Sequence, residues 1–298
     1  MSTTLSRISE LAKENKQLRF LSIAHLLTVG ALVGAFYRLR KNASAGVDGV
    51  TYAAYETKAW ENLEGLHGRV KSGRYRAEPL RRIYIPKEDG RQRPISIPSL
   101  EDKVVQKATV ELLNSIYEED FLGCSYGFRP LRGAQDALDE IGRVICRRDI
   151  SYVLEADICG YFDAIVRSLL MEMIGRRIGD GSILRLIGKW LNVGVIEDGR
   201  LLVTETGAGQ GQVVSPLQAN LYLHYVLDEW FEKEVKPRLR GEAYEIRYAG
   251  CCIGWFRYRG GADRGMAGLT RWGAGPAARV QLGQYAGHGV VQRAGVRA

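Results

Sequence analysis

The sequence predicts an α+β fold in which an antiparallel sheet carries the functional site. Strand-like and helical segments are mixed along the chain in an order that suits that class. Leu80 to Pro98 holds two β-prone runs joined at Asp89-Gly90, a strong hairpin signal. Ala243 to Phe256 reads as two short strands around a turn at Gly250. With 298 residues and 46% hydrophobic content, the chain has material for a sizeable core.

Taken in order, residues 5–41 read as helix, followed by a loop from Ala43 in which Gly46 and Gly49 suit tight turns. A second helical segment covers 53–72, and the basic hairpin follows it. Val104, Val105, Ala108, Leu112 and Ile116 give 101–118 a helical spacing. Ser125 to Pro130 is a loop entering a helix at 133–147. Tyr152 to Ile158 is a strand with Asp157 near its end, and helices occupy 166–192. A short hairpin spans Val195 to Thr204. Ser215 and Pro216 start a helix, as cap and first helical position, whose buried stripe is Leu217, Leu221, Leu227 and Phe231. That helix is expected to stop before Pro237.

Charge is unevenly placed. Of the net +8, the stretch from Gly250 to Ala298 supplies +6, through seven arginines and one acid, Asp263. The same stretch holds twelve of the 35 glycines and no lysine, and shows no helical periodicity. A second basic concentration, Arg69 to Arg93, surrounds the first hairpin and is more informative than the overall charge. The five cysteines form no C-x-x-C pair and have no histidine at ligand spacing, which argues against a zinc site or a disulfide scaffold and suits a reducing, cytoplasmic setting. Phe20 to Tyr37 carries no Asp, Glu, Lys or Arg, yet polar and glycine residues interrupt it, so it reads as a buried helix and no membrane contact is expected. No secretory signal is legible.

The most telling stretch is Tyr152 to Ile165. A carboxylate at the tip of a buried strand is where proteins hold a divalent cation against a phosphate, so Asp157 points to phosphoryl transfer, in competition with a plain turn-forming role.

Four blocks stand in order: a basic hairpin, a strand-end aspartate, a glycine-rich loop opening a helix, and a strand-turn-strand. Their strings SAGVDGVT, RRIYIPKEDGRQRPISIP, EDKVVQKA, SYGFRP, DICGYFD and GQGQVVSPLQANLYL resemble the reverse transcriptase/maturase proteins encoded by bacterial group II introns, from Ala45 to Ala249. The resemblance implies a right-hand polymerase with fingers and palm. Residues 1–75 would be an N-terminal helical extension and the start of the fingers, 76–256 fingers and palm, and 257–298 an aberrant Gly/Arg-rich tail not folded as a thumb, which is missing from so short a chain. It also implies RNA-directed DNA polymerisation with two Mg²⁺ ions, an intron RNA template, a DNA primer and deoxyribonucleoside triphosphates.

By the same resemblance, Asp157 is the first metal-binding carboxylate, with the backbone oxygen of Ile158 as a further ligand. Phe162 gates the sugar of the incoming nucleotide, while Lys87 and Arg93 meet its phosphates. Gln210 lies near that nucleotide in a loop whose Gly207, Gly209 and Gly211 let the backbone approach the substrate. Arg81, Arg82 and Arg129 contact template phosphates. The sequence departs from the family at that loop, with Ala208-Gly209 for Thr-Pro and Gly211-Gln212 for Gly-Gly. It departs more seriously at the turn, where Tyr-Ala-Asp-Asp is replaced by Tyr248-Ala249-Gly250-Cys251. Gly250 has no ligand and a Cys251 thiolate is a soft donor poorly matched to Mg²⁺. Weak metal binding and impaired polymerisation are therefore expected, with a non-catalytic, maturase-like RNA-binding protein or an inert fragment as alternatives.

Overall fold

The computed structural model describes residues 3–86, 90–159, 161–203, 206–273 and 281–282. In chain order they form α1 (Thr3–Glu14), α2 (Val29–Tyr37), α3 (Tyr52–Glu56), α4 (Ala59–Lys71), β1 (Leu80–Pro86), β2 (Gln92–Ile97) and α5 (Leu100–Tyr117). Then come α6 (Ala134–Arg147), β3 (Tyr152–Cys159), α7 (Tyr161–Ala164), α8 (Arg167–Arg177), α9 (Gly181–Asn192), β4 (Val195–Glu197) and β5 (Arg200–Leu202). The last elements are α10 (Ser215–Leu223), β6 (Ala243–Tyr248), β7 (Cys251–Phe256), α11 (Arg259–Gly273) and β8 (Gln281–Leu282). The chain divides into two compact units, Met1–Asp120 with Arg167–Gln218, and Phe121–Val166 with Ala219–Ala298. The architecture is mixed helix and sheet, as the sequence predicts.

In the first unit, both expected hairpins form and join into one sheet of order β2-β1-β4-β5. The junction is a parallel pairing of Leu80 with Val195 and Arg81 with Ile196, which the separate hairpins do not announce. The Asp89 half of the first turn lies outside the described residues, and Gly90 follows in a left-handed conformation, φ 81°. Helix α5 falls where its spacing places it. Its N-cap Ser99 accepts from the Asp102 N–H, and its apolar residues, Val104, Val105, Leu112 and Ile116 among them, are buried.

The single helix expected over 5–41 is instead two helices with an irregular segment between them. Two buried polar side chains from far along the chain cause the break. Arg177 donates to the carbonyls of Ala12, Asn15 and Leu18, capping α1 at its C-terminal end, and pairs with Asp120 at 2.9 Å. Asp180 accepts from the N–H groups of Ile23 and Ala24 at 2.7 and 2.8 Å and also caps α9 through Ser182 and Ile183. Thr28 then starts α2 by accepting from the Ala31 N–H at 3.1 Å. The 53–72 segment likewise divides at Thr57–Lys58 into α3 and α4. Among the described residues no helix is long and apolar enough to cross a membrane.

The second unit is built on an antiparallel sheet of order β6-β7-β3-β8. Tyr126, Ala137, Val144, Ile150, Ile246 and Trp255 form a core cluster between α6 and this sheet. Past α10 the helix continues through π-helical turns at His224–Asp228 and Phe231–Val235 and so ends before Pro237, which lies in a separate 3-10 turn, Lys236–Arg238. The post-turn segment is not devoid of helix, contrary to the expectation from its composition. Helix α11 packs on β3 and β7. A Cβ at Gly265 would lie 2.8 Å from the Phe256 ring and one at Gly268 would lie 2.8 Å from Trp230, so the backbone approaches these rings closely at both glycines.

Asp180 gives a direct test of how the first unit is tied together. Burial alone favours its uncharged form, but four backbone N–H bonds outweigh it and hold its pKa below the usual carboxylate value. Its stabilisation is complete above the unfolded pKa near 4 and fades as pH falls through the lower native value. Asp180→Ala is expected to cost about 1–2 kcal/mol at neutral pH and to lose less further stability on acidification than the native chain, measured by denaturant unfolding at pH 7 and pH 3.

Candidate active site

The turn between β6 and β7 meets the end of β3. Asp157 pairs in register with Cys251, and Cys251 with Tyr248. The Ile158 N–H donates to the Gly250 carbonyl at 3.1 Å, fastening the turn to the strand end. Ala249 sits at φ 55°, a left-handed conformation uncommon for a residue with a Cβ.

Arg247, on β6 and fully buried, holds this turn. Its Nε and Nη2 donate to the two oxygens of Asp228 at 2.7 and 2.8 Å. Its Nη1 donates to Asn220 Oδ1 and to the carbonyl of Ala249 at 3.1 and 3.0 Å, while Nη2 also reaches Ser125 Oγ at 2.7 Å. Backbone bonds add to the clamp: Arg247 N–H donates to Cys124 O, and Tyr126 N–H donates to Arg247 O. Asn220 returns a bond to the Gly127 carbonyl at 2.7 Å. Gly127 lies so close that a Cβ there would be 2.3 Å from the Ala249 nitrogen. One guanidinium thus fixes the turn, the 125–130 loop and the helical segment carrying Asp228. Sequence reasoning missed it, because its side-chain partners lie 19 to 122 residues away; the only local trace is an arginine directly before Tyr248.

Cys124, Asp228 and Glu245 bring a thiol and two carboxylates within 4.8 Å of one another, a grouping that no spacing in the sequence announces. Both Asp228 oxygens are already bonded to Arg247, so a cation occupies that carboxylate. Burial, then the neighbouring Asp228 charge, pushes the Glu245 pKa up to about 8, with Arg247 pulling partly the other way. Burial likewise pushes the Cys124 thiol up. Glu245 pairs with Gly254, itself paired with Leu154, three rows and roughly 10 Å along the ladder from Asp157 at the usual strand rise. It does not stand in for the missing turn carboxylates.

The donor set at the turn does not fit two divalent cations. Mg²⁺ needs several hard oxygen ligands, and the Asp157–Cys251–Tyr248 row offers one carboxylate and one thiol.

The remaining candidates separate by environment. Phe162 is half-buried and meets Phe128 edge-on, ring centroids 6.4 Å apart. Arg129 leaves the set of phosphate contacts. It is 8% exposed, donates to the carbonyls of Leu122 and Ser125 at 2.8 Å, and stacks on Phe121. Arg81 and Arg93 share one face of the first hairpin through their partners Ile97 and Ile85, and Arg93 is exposed. Arg82 lies on the other face, bonded to Ser96 Oγ at 2.8 Å and 3.7 Å from Glu197. Lys87 lies outside the described residues.

The Gly207–Gln212 loop is pinned, not loose. Gln106 and Gln212 bond to each other at 2.9 Å, and Gln106 also accepts from the Val213 N–H. The Gln210 carbonyl accepts from the Ser96 N–H at 2.7 Å. Gly207, Gly209 and Gly211 all have positive φ, and a Cβ on Gly211 would lie 2.6 Å from the Ser96 carbonyl. The glycines let this loop approach β2. Ser215 turns its hydroxyl back on the loop, donating to the Ala208 carbonyl at 2.5 Å.

The described residues thus combine a mixed helix and sheet fold with an antiparallel sheet, a strand-end aspartate in register with a tight turn, and a glycine loop leading into a helix. Residues 85–249 match the family model described as reverse transcriptase (RNA-dependent DNA polymerase). The chain is 37% identical over 186 residues to "Protein YkfC" of Escherichia coli (strain K12), covering 60% of this chain and 48% of that protein. It is 34% identical over 251 residues to "Group II intron-encoded protein LtrA" of Lactococcus lactis subsp. cremoris, covering 81% and 41%. A chain of the solved "Partial Cas6-RT-Cas1--Cas2 complex" aligns with 83% of this one and 41% of itself, at 19% identity and a TM-score of 0.47. The chain belongs to the reverse transcriptase family, and within it to the group II intron-encoded reverse transcriptases and maturases. It spans less than half the length of these two protein relatives. Mg²⁺ is the cofactor that family generally uses.

The buried cluster makes stability depend on pH. A carboxyl whose native pKa is raised stabilises fully below its unfolded pKa, and that contribution is lost as pH rises through the native value. The melting temperature of the native chain should therefore fall between pH 5 and about pH 8, and Glu245→Gln should flatten the decline. Identical slopes for the two proteins would exclude Glu245 as its source.

Proposed function

We propose that this chain is the nucleic-acid-binding core of a group II intron reverse transcriptase in which polymerisation is lost and RNA binding remains. The observation that carries the reading is the register of Asp157 with Cys251 at a turn whose other residue is Gly250. In intact relatives this turn supplies two carboxylates that complete the metal site with the strand-end aspartate. One carboxylate, with the Ile158 carbonyl, does not hold two cations close together.

In this reading 76–256 are fingers and palm, with the first sheet's hairpin in the fingers and the four-stranded antiparallel sheet as the palm. Lys87, Arg93 and Gln210 are the inherited contacts to a deoxyribonucleoside triphosphate, and Phe162 is the residue beneath its sugar. The RNA template and the primer would run past the basic hairpin. Arg81 and Arg93, sharing a face, support phosphate contact there; Arg82, engaged with Ser96 and Glu197, supports the strand pairing instead. The retained clamp around Arg247 supports a folded core over an inert fragment.

Two assays test this. Primer extension on an RNA template with Mg²⁺ should give product at background level; synthesis near the rate of an intact relative would refute the loss of polymerisation. Binding to structured intron RNA should weaken with salt, survive Asp157→Ala, and fall several-fold in Arg81→Ala/Arg93→Ala. RNA binding that is absent, or indifferent to the arginine pair, would refute the retained role.

A further inference from the structure

The first unit contains a cavity of about 740 Å³ lined by none of the residues assigned above to nucleotide or template contact. It is walled by the start of α2, the end of α4 with the turn after it, and α9. Its titratable side chains other than Tyr75 are His25, His67, Lys71, Arg185 and Lys189, and no acid lines it among the described residues. Leu27, Val29, Val70 and Leu186 give it an apolar floor, with the ring of buried Tyr75. We infer that this cavity binds a phosphate-bearing ligand of mononucleotide size, the phosphate on the cationic wall and the base on the apolar floor.

The physical case rests on charge, donors and size together. Lys71, Arg185 and Lys189 bring three cationic side chains to one concavity, where like charges repel unless an anion joins them. Two acids touch its walls from behind, and both are engaged elsewhere. The Asp180 carboxylate accepts four backbone N–H bonds, and Asp102 accepts from the Tyr75 hydroxyl and the Glu78 N–H. Lys189 is held by the carbonyls of Gly73 and Tyr75 and lies 5.6 Å from the Tyr75 ring centroid, which fixes its ammonium at the wall. Arg185 donates to Ser182 Oγ at 3.0 Å through one nitrogen, leaving other donors of its fork for an anion. Val29 and Gly30 line the cavity in the first turn of a nine-residue helix, where N–H groups have no intrahelical acceptor. The volume falls in the range of small-molecule sites, and an apolar floor beside a few convergent polar groups is their usual make-up.

The shared chemistry has two sources, a free nucleotide or one nucleotide of a single-stranded RNA, and the test separates them. Calorimetric titrations of the full chain would use ADP, a uridine pentanucleotide and adenosine. The native chain should bind ADP or the pentanucleotide saturably below about 1 mM, whereas adenosine should bind at least about tenfold more weakly. Lys71→Glu/Arg185→Glu should weaken the phosphate-bearing probe at least about tenfold. Tighter ADP assigns a free nucleotide, and tighter pentanucleotide assigns an RNA strand. If the charge-reversed chain loses its cooperative melting transition, Lys71→Gln/Arg185→Gln replaces it with the same expectation. Absence of saturable binding by both phosphate probes, equal binding of adenosine, or undiminished binding by the cavity variant would overturn the inference.

Discussion

The second unit depends on one buried ion pair. Arg247 and Asp228 are both shielded from water, and taking two charges out of solvent is repaid only when the pair's remaining donors and acceptors are used. Here they are used on the turn carbonyl of Ala249, on Asn220 and on Ser125, so the cost of burial is offset by bonds that each fix another segment. The left-handed Ala249 and the backbone contact at Gly127 persist because that network over-determines them. The conformation of the turn is therefore tied to this network through the Ala249 carbonyl.

The first unit follows the same logic with uncharged groups. Gln106 on α5 reaches the loop before α10 through Gln212 and the Val213 N–H, and the Gln210 carbonyl is tied to β2. Buried polar side chains position these segments, while the residues assigned to ligand contact, Arg93 and Gln210, stay at or near the surface. A fully satisfied buried polar network specifies one arrangement more sharply than apolar packing does.

Much of this was legible in the sequence where the cause is local. The Asp89-Gly90 hairpin, the strand-turn-strand at Gly250 and the spacing of α5 are set by turn residues and periodicity within a few positions. What escaped is set at long range. Nothing in residues 5–41 announces that Arg177 and Asp180 will take their carbonyls and N–H groups, and an apolar run free of charges looks continuous until those partners are known. Helix α11 escaped for a different reason: it is rich in glycine, which carries no hydrophobic signal and disfavours helix, and Gly265 and Gly268 lie close to Phe256 and Trp230 from elsewhere in the chain. At the candidate site, the company that each residue keeps was not readable. Arg129 looked like a surface cation because burial by loop carbonyls leaves no mark in composition.

We propose that the turn is held ready by Arg247 and lacks only its ligands. The most direct test is a calorimetric Mn²⁺ titration of the native chain beside Gly250→Asp/Cys251→Asp, with both proteins checked for the same cooperative unfolding. The account predicts that the restored chain binds Mn²⁺ at least about tenfold more tightly than the native one, since hard carboxylate ligands return to a preformed site. Equal, weak binding by two equally folded proteins would show that the turn is not preformed and would contradict it.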